Sequence, residues 1–135
     1  CDRYQVPFYC HTYREAAVKT GARGLHLPLP VFRETGRQGL APEIVLGCSV
    51  HSIQEAREAE ALGADYVIAG HIYATDCKKG LPPRGLEFLE ETCRSVSLPV
   101  YAIGGIRLEW EQIEKTMAAG AMGVCVMSGA MTCEY

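Results

Sequence analysis

The sequence predicts a parallel α/β architecture, on three observations. Short apolar runs alternate regularly with helical stretches along the whole chain. The apolar runs show no strict in/out alternation, as expected of strands covered on both faces. Three segments echo one another: Gly21-Ala22-Arg23-Gly24-Leu25, Gly63-Ala64-Asp65-Tyr66-Val67 and Gly120-Ala121-Met122-Gly123-Val124. In each, Gly-Ala ends a helix and feeds a strand, which marks a repeated αβ connection. A repeated connection suits a (β/α)8 TIM barrel, where every strand is met in the same way. A doubly wound sheet fits the alternation too; the echo tilts the choice toward the barrel.

In order, Val6 to Cys10 reads as a short strand containing Pro7, a residue that cannot donate to a sheet ladder. His11 to Thr20 reads as a helix closed by Gly21, and Leu25 to Leu27 as the next strand, stopped by Pro28 and Pro30. The segment from Val31 to Ala41 is weakly patterned, with room for a short helix. Ile44 to Val50 is the third strand. Ser52 caps the following helix, and Glu55 stands at the offset of a reciprocal capping box. That helix runs to about Leu62 and stops at Gly63. Tyr66 to Ala69 is a buried strand, 85 to 95 a helix, and Pro99 to Ile103 a strand ended by Gly104-Gly105. A helix from about Leu108 to Ala119 stops at Gly120, and Gly123 to Met127 is the last strand.

This makes about six strands, whereas a closed barrel of this type has eight in roughly 250 residues. The expectation is a single partial TIM-barrel domain over residues 1–135, with N-terminal βα units and the last helix missing. A first residue Cys1 and an end at Tyr135, soon after a strand, fit a piece of a longer parent. Such a piece carries exposed strand edges that invite aggregation or a partner.

Composition bounds the function. With 48% hydrophobic and 21% charged residues the chain supports one domain with a real core. A formal net charge of −3 carries no general nucleic-acid footprint. No apolar run is long enough for a membrane span, and no signal-peptide pattern opens the chain. Seven cysteines, an odd count without a C-x-x-C pair, fit a reduced cytoplasmic protein better than a disulfide framework. Cys48 and Cys125 lie in apolar runs, where a thiol acts as a small core hydrophobe.

In a barrel the active site lies at the C-terminal strand ends. Those ends carry His11, Pro28, Ser49 and His51, His71, Gly104-Gly105, and Ser128-Gly129. Gly104, Gly105, Ser128 and Gly129 form a candidate phosphate cup, because small residues let backbone N–H groups approach a phosphate. His71, where a buried strand meets its loop, is the candidate catalytic group, since imidazole exchanges protons near neutral pH. Lys78 and Lys79 follow it and suit an anionic substrate. Gly80 and Pro82-Pro83 indicate a shaped loop. His26 reads as a core or cavity-wall residue, His51 as structural, and His11 has no partner nearby in sequence. Cys77 beside the two lysines is a weak candidate nucleophile, with no base adjacent. Dinucleotide, P-loop and H-E-x-x-H motifs are absent, and no acidic cluster falls at the strand ends.

The run from Asp65 to Gly80, with its G-H-x-x-x-T-D-C-K-K-G core, resembles the signature of the thiazole tautomerases (TenI-type proteins) of the thiamine phosphate synthase superfamily of TIM barrels. Leu46 to Ser52, Ala102 to Ile106 and Val126 to Gly129 are similar to that superfamily's strand-end segments, and the resemblance extends from about Pro7 to Ser128. It implies His71 as acid/base catalyst without a metal or other cofactor, Gly104, Gly105, Ser128 and Gly129 at the substrate phosphate, and Ser49, Lys78 and Lys79 as further substrate-binding residues. The implied reaction isomerises and aromatises a carboxythiazole phosphate. Within the superfamily, synthases carry Asn-Asp where this chain has Cys10-His11, an acid soon after the next strand, and a proline-type residue in place of His71. Here the second region reads Leu27-Pro28-Leu29-Pro30. These differences favour the tautomerase, although Cys10-His11 departs from the tautomerase pattern as well. A thiamine phosphate synthase and a non-catalytic thiazole-phosphate-binding regulator are the alternatives. The expected partner is the small-molecule thiazole phosphate, with no nucleic acid and no membrane, and a homo-oligomer is left open.

Overall fold

The computed structural model describes residues 1–132. Its elements are β1 (Tyr9–His11), α1 (Arg14–Thr20), β2 (Gly24–Pro28), α2 (Leu29–Thr35), β3 (Val45–Val50), α3 (Ile53–Ala61), β4 (Tyr66–Gly70), α4 (Gly85–Ser95), β5 (Val100–Ile103), α5 (Trp110–Ala118), β6 (Gly123–Cys125) and α6 (Ser128–Met131). All six strands are parallel, and their order in the sheet is their order in the chain. A doubly wound sheet reverses its winding at a switch point, and this one does not. The sheet also curls. β1 and β4 are three strand spacings apart, about 14 Å in a flat sheet, yet the rings of Tyr9 and Tyr66 meet with centroids 6.1 Å apart. The fold is a TIM-like α/β half-barrel, in keeping with a fragment of a (β/α)8 barrel.

The core lies on the convex side, between strands and helices. Leu25, Leu27, Leu46, Cys48, Val50, Val67, Ala69, Val100 and Ala102 pack there against Ala17, Phe32, Ala56, Ala59 and Leu89 from the helices. Alternate strand residues face the concave side and are mostly aromatic, polar or glycine, with the aliphatic Val45, Ile68 and Ile103 among them. Tyr66 stands T-shaped between Tyr9 and Tyr101, with His26 beside it. Gly24 and Gly47 make room for these rings: a Cβ would fall 2.4 Å from the ring of Tyr9 and 2.0 Å from that of Tyr66, respectively. The strands therefore do alternate. Tyr, Gly and Cys scattered among aliphatic residues hide the pattern in the sequence.

Boundaries differ from expectation for identifiable reasons. β1 starts at Tyr9, beyond Pro7, and runs on to His11, which pairs with His26. α1 begins only at Arg14, after Thr12 at φ 67. Pro30 lies in the first turn of α2, where its missing N–H has no intrahelical partner to lose. α5 starts at Trp110 and β6 ends at Cys125, so Ser128 opens a short helix. The Ser52 hydroxyl accepts from the Glu55 N–H at 3.1 Å as expected. The return bond shifts by one residue: the Glu55 carboxylate accepts from the His51 N–H at 2.6 Å. No helix among the described residues is long and apolar enough to cross a membrane.

Candidate active site

At the C-terminal ends of β3 and β4 one backbone group is held twice. The Gly70 carbonyl accepts from His51 Nδ1 at 2.8 Å and from Arg84 Nε at 3.0 Å. A carbonyl only accepts, so Nδ1 of His51 carries the proton and Nε2 stays free of this bond. The next residues are stitched on both sides. Ile72 and Tyr73 N–H donate to the Ile103 and Gly104 carbonyls at 2.9 Å, while Arg84 and Gly85 N–H donate to the His71 and Ile72 carbonyls at 3.0 Å. This holds His71 between the end of β5 and the start of α4. The residue is only 9% exposed, and its Nε2 lies 3.4 Å from the Leu81 carbonyl, at the outer limit of a hydrogen bond.

His51, His71, Lys78, Leu81, Pro82 and Arg84 line a cleft of about 220 Å³. Drug-sized ligands occupy roughly 300–1,000 Å³, so this cleft takes one small group. Two imidazoles, an ammonium and a guanidinium with no lining carboxylate favour an anion. A more open hollow of about 630 Å³ runs along Thr12 to Lys19, but one stretch of chain forms it.

A second polar group lies on the concave face. His26, 7% exposed, has Nε2 2.7 Å from Ser49 Oγ and Nδ1 3.2 Å from the Tyr66 hydroxyl. Burial, aided by the His11 ring at 5.6 Å, pushes its pKa down to about 4. Burial likewise raises the Tyr66 phenol, and it raises the Cys48 thiol to about 12.

The sequence-predicted residues fall as follows. His71 and Lys78 line the cleft, and Ser49 faces the concave side beside His26. Lys79 reaches Asp76 at 3.9 Å on the exposed part of its loop. Gly104 and Gly105, at φ 98 and 67, turn the chain against His71 and against the carbonyls of Tyr73 and Ala74. Ser128 and Gly129 open α6, where a Cβ on Gly129 would touch Leu108 from the loop after β5 at 3.8 Å. The loops after β5 and β6 therefore lie side by side. His11 does find partners, Thr12 Oγ1 at 2.7 Å and the ring of His26. His51 is a cleft residue as well as a structural one, and Arg84 went unnoticed in the sequence. No cluster of three or more His, Cys, Asp or Glu placed to hold a metal occurs among the described residues.

A curled parallel sheet with a cationic, imidazole-bearing cleft at its C-terminal strand ends defines a protein of the (β/α)-barrel class. More particularly, the chain belongs to the TMP-TENI family, described as thiamine monophosphate synthase, whose model matches residues 1–130. It is similar to the thiamine-phosphate synthase of Pyrococcus horikoshii, at 36% identity over 98% of this chain and 63% of that protein. The thiamine-phosphate synthase of Chlorobium phaeovibrioides is 41% identical over 93% of this chain and 60% of its own length. Among solved structures, thiamine phosphate pyrophosphorylase from Pyrococcus furiosus superposes with a TM-score of 0.80 and 33% identity, over 98% of this chain and 63% of that one. The chain thus spans under two thirds of the length of these relatives.

Proposed function

We propose that the chain acts in thiamine biosynthesis on a phosphorylated thiazole, and that its chemistry is the tautomerisation of a carboxythiazole phosphate. The observation that carries this reading is His71, buried at a strand end in a cleft whose other polar lining groups are His51, Lys78 and Arg84. In the reaction an imidazole takes a proton from the ring carbon. The electrons of that C–H bond move into the ring, and the exocyclic carbon takes a proton from the imidazolium, leaving an aromatic ring. One imidazole can serve both steps because its neutral form accepts a proton and its protonated form returns one. Gly104, Gly105, Ser128 and Gly129 receive the phosphate beside His71, and Lys78 adds charge. Ser49 and Lys79 complete the proposed substrate contacts.

The relatives' names favour a second reading, thiamine phosphate synthesis; the family resemblance implies that this reaction joins a pyrimidine diphosphate to the thiazole phosphate with magnesium. The donor set on this chain fits that metal poorly: β1 and β2 end in His11 and Pro28, neither of them a carboxylate. Side-by-side assays decide between the two. The tautomerase reading expects conversion of the carboxythiazole phosphate tautomer without added metal, and a fall of about 10²-fold or more in His71→Asn. Equal rates in wild type and variant remove His71 from the mechanism. Magnesium-dependent condensation without tautomer conversion establishes the synthase. Thiazole phosphate binding with neither reaction leaves a regulator.

A further inference from the structure

His26 is buried and hydrogen-bonded to the half-buried Ser49, and it has no part in the mechanism above. The serine hydroxyl meets Nε2 at 2.7 Å, and the Tyr66 hydroxyl meets Nδ1 at 3.2 Å. Which way the protons run decides what Ser49 can do. A phenol donates well and accepts poorly, because its oxygen lone pairs are drawn into the ring, whereas an unprotonated imidazole nitrogen is a good acceptor. Tyr66 therefore donates to Nδ1. The ring is neutral near physiological pH, since burial makes a charged imidazole costly there. Its one proton then resides on Nε2, which donates to Ser49 Oγ. A hydroxyl that accepts from its neighbour keeps its own hydrogen for another acceptor.

Position gives that hydrogen a purpose. Ser49 is the penultimate residue of β3, half-buried on the concave face and two residues before His51 of the cleft. Tyr66 is fixed in turn by Tyr9 and Tyr101 and lies over Gly47, so the start of the chain of donors is rigid. We propose that His26 is a positioning residue: with Tyr66 it locks Ser49 as a hydrogen-bond donor toward the barrel mouth, selecting ligands that present an acceptor oxygen, such as a carboxylate, at that point. This inference rests on the thiazole phosphate reading for the identity of the ligand, but not for the direction of the hydrogen bonds.

Ring-nitrogen NMR on the ¹⁵N-histidine-labelled chain tests the direction by itself. The expected result is a single neutral His26 tautomer protonated at Nε2, which Tyr66→Phe converts to a mixture. Protonation at Nδ1, or a mixture in the wild type, overturns the proposal. Calorimetric titration with carboxythiazole phosphate tests the consequence. Ser49→Ala and Tyr66→Phe, both conservative in shape, should each weaken binding by about tenfold, the loss of roughly one good hydrogen bond. Because Tyr66 acts through Ser49, the double variant should bind no worse than Ser49→Ala alone. Additive losses overturn the proposal. A wild type that shows the expected tautomer but binds no thiazole phosphate overturns the functional reading instead, and with it only the named ligand.

Discussion

Gly104 and His71 are in backbone-to-side-chain contact: a Cβ on Gly104 would lie 2.3 Å from the Cβ of His71 and 2.7 Å from its Cα. The turn after β5 therefore sets how closely the candidate phosphate cup approaches the candidate catalytic ring. Gly104→Ala should cost about 2–4 kcal/mol, combining the strain of φ 98 with the displaced contact. Turnover should fall more than the folded fraction does. Gly80→Ala is the matched control, because φ is 81 there but the space is open, so only about 1 kcal/mol is expected. Urea unfolding of both variants checks this. Equal losses would mean that contact with His71 is unimportant.

The double hold on the Gly70 carbonyl gives a second prediction. Arg84→Lys keeps a positive charge in the cleft but loses the Nε donor that meets the carbonyl at 3.0 Å. If the guanidinium positions the loop, kcat should fall about tenfold with KM nearly unchanged. Amide exchange at 71–73 should also quicken. If Arg84 serves only as a charge, lysine should restore full activity.

The fold was largely legible because its signals are local. Glycine ends helices, apolar runs make strands, and α4 begins at Gly85 and ends at Ser95 as read from the sequence. Local signals failed where a distant partner decided. His11 remains in β1 because His26 pairs with it, and no periodicity within residues 6–20 encodes that. The candidate site divides in the same way. His71 stands out at the end of an apolar run. His51 and Arg84 act on a backbone carbonyl 19 and 14 residues away, and a backbone acceptor leaves no trace in side-chain spacing. The His26, Ser49 and Tyr66 group spans three strands and becomes visible only once the sheet curls.

The cysteines offer a third prediction. Cys48 is fully buried, and its thiol is raised to about 12, chiefly by burial. Cys77 is exposed on the loop that carries Lys78 and Lys79. Thiolate is the reacting form, so iodoacetamide at pH 8 should modify Cys77 rapidly and spare Cys48 until the chain is unfolded. Peptide mass spectrometry reads the order, and comparable labelling of Cys48 in the native chain would contradict the packing of β3 against the helices.

The buried ring of His26 makes stability depend on pH in a direction that can be worked out. In the unfolded chain the imidazole titrates at its usual 6.5, and in the folded chain at about 4. Between these values the unfolded state binds more protons, so stability rises with pH there. The contribution is complete above pH 6.5, declines as pH falls, and levels off below about 4 with a total loss of about 3 kcal/mol. Other ionisable groups contribute to the same curves, so the test is a difference. Urea midpoints of wild type and His26→Gln, measured from pH 7 to 4.5, should converge on acidification, because the glutamine amide reaches the position of Nε2 beside Ser49 but has no proton to gain. Parallel curves would mean that the ring takes up a proton as readily in the folded chain as in the unfolded one, and would contradict the burial that keeps it neutral beside Ser49.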